Sequence, residues 1–115
     1  VIDHMARIGT AQGLAQEPFR KLLELAQDSR AWIKISGMDR ASAAGAPFHD
    51  AAPFAQKLVE VSPSRVLWGT DWPHPNVKGP VPDDQVLRDL LLMTVPDKRL
   101  LHQILVENPA RLYFS

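Results

Sequence analysis

Apolar residues along this chain follow two alternating rhythms. Short β-branched runs recur three times, each followed by a segment whose apolar positions repeat at three and four residues, which predicts α/β units on a parallel sheet. Val1-Ile2 reads as the first strand, with a polar end at Asp3-His4 and a loop carrying Gly9, Thr10 and Gly13. A helix from about Glu17 follows, with Phe19, Leu22, Leu23 and Ala26 on one face. The second strand spans residues 31–36 and ends at Gly37; an Ala- and Gly-rich loop then runs to Pro47. Asp50 is the expected cap of the next helix, with Pro53 in its first turn, Ala51, Phe54, Ala55 and Leu58 on its apolar face, and Ser62-Pro63-Ser64 as its stop.

The third strand, residues 65–71, runs into Trp72-Pro73-His74-Pro75-Asn76, where two prolines forbid an immediate helix and stiffen a loop. Asp83 is placed to cap a helix carrying Val86, Leu87, Leu90 and Leu91, and Asp97 another carrying Leu100, Leu101, Ile104 and Leu105. Asn108-Pro109 reads as N-cap and first residue of a last short helix through Leu112 and Tyr113. No repeat is visible beyond the βα alternation, and residues 1–115 read as one domain.

Composition narrows the chemistry. The chain has 115 residues, with 13 Lys and Arg balanced by 13 Asp and Glu. That balance removes bulk attraction to nucleic acid or anionic lipid. With no cysteine there is neither a disulfide framework nor a thiolate metal site, so a metal would need His and carboxylate ligands. No apolar run approaches the roughly 18 residues of a spanning helix, and the setting expected is cytoplasmic. Val1-Ile2-Asp3-His4 reads as the end of a strand already in progress, so a piece of a longer polypeptide is expected.

In parallel α/β architectures the loops after the strand C-termini share the face where ligands bind. Here the three ends carry His4, then Ser36 with Asp39-Arg40, then Asp71 with His74 and Asn76. Each has a plainer reading: His4 as a packed histidine satisfied by a carbonyl, Asp71 as a turn aspartate, Arg40 as a solvated surface residue. His49 and His102 are read as surface residues, and Trp32 and Trp68 as packing. A small doubly wound binding domain would place the same polar ends in a crevice, but no Gly-rich phosphate loop follows any strand.

The segments VIDHM, WIKISG, RVLWGTDWPHPN and NPARLY together resemble the amidohydrolase-2 family, and within it the branch of 2-pyrone-4,6-dicarboxylate lactonases and related lactone hydrolases. The likeness runs over essentially the whole chain, and GTDWPHPN is its most specific stretch. It implies a (β/α)₈ TIM barrel of which these would be the sixth, seventh and eighth strands, since a complete barrel takes ~250 residues. It further implies hydrolysis of a dicarboxylate lactone in aromatic catabolism. Asp71 would be the acid/base that activates water, His4 its partner beside the lactone carbonyl, and Arg40 a clamp on a substrate carboxylate, with His74 and Asn76 lining the same pocket.

No cofactor is expected for that branch. The broader family includes zinc-dependent decarboxylases and sugar-lactone hydrolases whose metal is held by a first-strand His-x-His pair, a later histidine and this aspartate. Only His4 and Asp71 match that set, where catalytic zinc takes three protein ligands. Three strands cannot close a barrel, so the remainder of the barrel or further copies of the chain are expected to cover the outer strands; an inactive fragment that self-associates is the alternative.

Overall fold

The computed structural model describes residues 1–75 and 80–114. Three parallel segments lie side by side in chain order. Ile2 bridges Ile33, and β1 (Ile33–Lys34) pairs with β2 (Val66–Leu67) in the register Ile33 to Val66 and Lys34 to Leu67. The strands are shorter than their sequence predicts. Residues 31–36 and 65–71 carry strand-like composition, but each backbone leaves the ladder soon after it forms, Gly37 and Asp71 turning at φ of 70° and 66°.

The helices are α1 (Glu17–Ala26), α2 (Met38–Ala41), α3 (Ala52–Val61), α4 (Asp84–Thr94), α5 (Lys98–His102) and α6 (Asn108–Tyr113). The apolar faces of α1 and α3 meet, with Phe19 and Phe54 edge to face at 4.8 Å between ring centroids. α3 packs in turn on α4, and Leu22, Ala26, Leu58, Leu90, Leu91 and Ile104 bury the core with Ile33, Ile35 and Val66 of the sheet region.

Asp83 and Asp97 cap α4 and α5 as expected, accepting from the Gln85 N–H and from the Arg99 and Leu100 N–H groups. Two expected caps do not form. α3 begins without a side-chain cap, because Asp50 turns away to accept from the Thr10 and Ser42 hydroxyls and the Ala43 and Ala44 amides. Asn108 lies within α6 rather than before it, and its buried amide donates to the Pro63 and Val66 carbonyls at 2.8 and 2.9 Å. The last helix is also joined to α5 through a π turn, Gln103–Glu107. Pro109 has no N–H for the carbonyl four residues back, and a wider turn absorbs that loss.

Candidate active site

Each of the three parallel segments leaves the sheet through a left-handed backbone. His4, Met5, Ala6 and Arg7 have φ of 53°, 50°, 56° and 58°, a turn that costs L-residues energy and that buried Met5 anchors. Gly37 follows the second segment, where its missing Cβ matters: a Cβ there would stand 2.7 Å from the Cβ of His4. Asp71 follows the third, and its carbonyl accepts from the His74 N–H at 2.6 Å in a tight turn.

These turns bring three side chains together. His4 Nε2 lies 3.3 Å from Asp71 Oδ1, and Arg40 Nε lies 2.7 Å from Asp71 Oδ2. The carboxylate is thus held between an imidazole and a guanidinium, with His4, Asp71 and Arg40 side chains 13%, 12% and 21% exposed. Such partial burial keeps charge-assisted bonds short while leaving an approach from solvent. Arg40 also donates through Nη2 to the Pro75 carbonyl at 2.5 Å, tying α2 to the loop after β2. On its other side His4 Nδ1 meets the buried Ser36 hydroxyl at 2.8 Å, which fixes the ring's rotation.

His74 stands apart from that trio. Its ring is 1% exposed and lies between two carboxylates, Nε2 at 3.1 Å from Asp84 Oδ1 and Nδ1 at 4.0 Å from Asp39 Oδ2. Asn76 lies outside the described residues. His49 and His102 are exposed, as expected of surface residues. Ser36, Gly37, Asp39 and Asp84 are the residues whose parts the sequence reading did not assign. Ser36-Gly37 could have been found from a polar residue and a glycine closing a strand that faces His4.

Asp50 ties the loop after the first strand to the exit of α2. Burial works to raise its carboxyl, but the Ser42 and Thr10 hydroxyls and the Ala44 and Ala43 amides outweigh that and hold it at about 2.

The donor set does not by itself suit a catalytic zinc. Among the described residues no three His, Cys, Asp or Glu side chains are grouped to hold a metal ion, and both Asp71 oxygens face other cationic or N–H partners. Among the same residues no helix is long and apolar enough to cross a membrane.

The amidohydrolase family model (Amidohydro_2) matches residues 1–114. The chain belongs to the amidohydrolase family. It is 48% identical over 115 residues to a 4-sulfomuconolactone hydrolase of Rhizobium radiobacter, covering 98% of this chain and 38% of that protein. It is 40% identical over 123 residues to a 2-pyrone-4,6-dicarboxylate hydrolase of Comamonas testosteroni, covering 99% of this chain and 40% of that protein. A crystal structure of an Agrobacterium tumefaciens protein, determined in the apo form, superposes with a TM-score of 0.79 at 33% identity, over 96% of this chain and 39% of that one. This amidohydrolase chain therefore spans about two fifths of the length of the relatives it matches.

Proposed function

We propose that this chain carries part of the active site of a lactone hydrolase, with Asp71 as acid/base, His4 as the carbonyl-side donor and Arg40 as the clamp on a substrate anion. The observation that carries this reading is the Asp71 carboxylate held between His4 and Arg40 at three neighbouring strand ends. Two curated relatives are named as lactone hydrolases, for 4-sulfomuconolactone and for 2-pyrone-4,6-dicarboxylate. Both names describe a ring ester bearing an anion, which suits a base beside a guanidinium.

In the reaction, water gives a proton to an Asp71 oxygen as its own oxygen bonds to the lactone carbonyl carbon. The carbonyl electron pair moves onto oxygen, where the His4 N–H steadies the charge. Collapse of the adduct breaks the ring C–O bond, and Asp71 returns its proton to the departing oxygen. Arg40 turns from the Asp71 carboxylate to meet the substrate anion with its guanidinium N–H groups. No metal has a part in these steps.

Residues 1–115 are, in this reading, the C-terminal portion of a TIM barrel, strands six to eight. The chain-order parallel segments and the two-fifths coverage support it. The remainder of the barrel covers the outer strands; second copies of the chain are the alternative, and Leu25, Leu92 and Leu105 are exposed apolar residues available to either.

The test supplies both lactones to the complete polypeptide and to the 115-residue chain, following loss of the ring's ultraviolet absorbance. Hydrolysis is expected in the complete polypeptide. Asp71→Asn should lower kcat by about 10²–10⁴-fold, and Arg40→Met should act mainly on KM. Failure to open either lactone overturns the reading, and a stoichiometric zinc required for turnover overturns its metal-free form. Light scattering on the 115-residue chain tests the barrel argument: a stable monomer with no tendency to associate contradicts it.

A further inference from the structure

His74 and Asp39 present an unmade contact. Asp39 Oδ1 and His74 Nδ1 are both buried without a hydrogen-bond partner, and the two side chains, 4% and 1% exposed, face each other with 4.0 Å between Nδ1 and Oδ2. Buried polar atoms left unpaired are costly, so a small approach of the two groups would form a charge-assisted bond where there is now a gap. The groups facing the ring are Asp39 from α2 and Asp84 from α4. Asp84 holds the far nitrogen at 3.1 Å and so aims the free one at Asp39.

The place of this pair in the chain gives it a use. Asp39 adjoins Arg40, and the His74 N–H donates to the carbonyl of Asp71. Two cross-links therefore join the same segments, one made, between Arg40 and Asp71 or Pro75, and one poised, between Asp39 and His74.

We propose that His74 is a positioning residue for Asp71, closing onto Asp39 when a substrate anion draws Arg40 away from the Asp71 carboxylate. The inference rests on the reading of Asp71 as the base. In the free protein the Arg40 ion pair sets the distance between α2 and the loop after β2. Once Arg40 turns to the substrate that restraint weakens, and the Asp39–His74 bond takes its place, keeping the base in register while water attacks. His74 thereby acts through Asp71 and does not touch substrate.

The test uses the complete polypeptide and compares His74→Phe, His74→Gln, Asp39→Asn and the double variant His74→Phe/Asp39→Asn. His74→Phe keeps the ring's bulk and loses both nitrogens; it should lower kcat at least about tenfold while KM changes less than about threefold. His74→Gln, which keeps a donor toward Asp84, should recover part of that loss. The double variant should be no worse than the poorer single one, because the two residues share one interaction. A rise in KM alone would make His74 a substrate contact and overturn the proposal. So would a lowered melting temperature with kcat and KM unchanged, or losses that multiply in the double variant. The parent assayed alongside separates the two readings: no turnover there overturns the hydrolase assignment, whereas parental turnover with undiminished kcat in the variants overturns the positioning role alone.

Discussion

Gly37→Ala is the substitution whose effect the geometry fixes most closely. Two separate costs arise at this position. The backbone has φ of +70°, which an L-residue adopts at about 1–2 kcal/mol. The added methyl would also stand 2.7 Å from His4 Cβ, 3.0 Å from its Cγ and 3.1 Å from Nδ1. His4 Cβ is fixed to a left-handed backbone, so no rotation of the imidazole relieves the closest contact. Separating the two carbons to van der Waals distance means moving one strand end from the other, an overpacking cost of about 1–3 kcal/mol. The sum is about 2–5 kcal/mol. Gly13 and Gly45 supply internal controls: at φ of +76° and +83° they pay the same conformational cost, and a Cβ on either meets nothing within 4 Å. Urea denaturation should place Gly13→Ala and Gly45→Ala about 1–2 kcal/mol below the parent and Gly37→Ala lower again by at least about 1 kcal/mol. Its kcat/KM should fall as well, because His4 moves away from Asp71, whereas the controls keep theirs. Three equal stabilities, or a Gly37→Ala protein of parental activity, would refute the close approach of His4 and Gly37.

Ser36→Ala removes the hydroxyl that fixes His4: it should cost about 1 kcal/mol of stability for one buried hydrogen bond and, with the ring no longer held in orientation, lower kcat about fivefold; urea denaturation and steady-state kinetics check the two. For Asp50 the folded carboxyl sits at about 2, below its ordinary 3.8, so its contribution is complete above pH 4 and lost as pH falls through about 2. Asp50→Asn should therefore cost about 1–2 kcal/mol near neutrality, after allowing for partial solvent screening, and flatten the decline in stability between pH 4 and 2; denaturation midpoints against pH give the slope. Asn108→Leu leaves the Pro63 and Val66 carbonyls without their buried donor and should lower stability by about 2–4 kcal/mol by urea denaturation, with kcat of the remaining folded protein unchanged.

The elements whose signals are local were legible from the sequence. Asp83 and Asp97 cap helices because the amides that they accept from lie two and three residues ahead, and the three- and four-residue spacing of Phe19, Leu22 and Ala26 names a buried face wherever the helix packs. Asp50 and Asn108 have the same local look, but their partners are Thr10 and Ser42 in one case and Pro63 and Val66 in the other. A cap preference is worth about 1 kcal/mol, and several buried hydrogen bonds outweigh it. The strands were over-read for a related reason: Val66, Leu67 and Trp68 open residues 65–71 as a strand, but a ladder needs a neighbour running alongside, and pairing stops at Leu67 before the chain turns at Asp71. The polar strand ends could be placed on one face from the parallel pattern alone. The left-handed run of His4 to Arg7 could not, since no glycine marks it, nor could the facing of His74 and Asp39.

The distribution of strain explains how so small a sheet can hold the site. Apart from Phe48 in the loop before α3, the left-handed conformations costly for L-residues collect at one end of the parallel segments, in residues 4–7, at Asp71 and at His74. The opposite end is tied by side chains that donate to backbone carbonyls: Arg65 to Ala26 and Ala31, Asn108 to Pro63 and Val66, and Arg111 to Ser64. These bonds join the C-terminal helix to the start of β2, and Arg65 in turn to the end of α1 and to the residues before β1. With that end fixed, the other is free to turn sharply without dissolving the register of Ile33 on Val66. Substitutions at the tied end should therefore act on stability alone, as Asn108→Leu does, whereas those at the turned end, Ser36→Ala and Gly37→Ala, should lower activity as well.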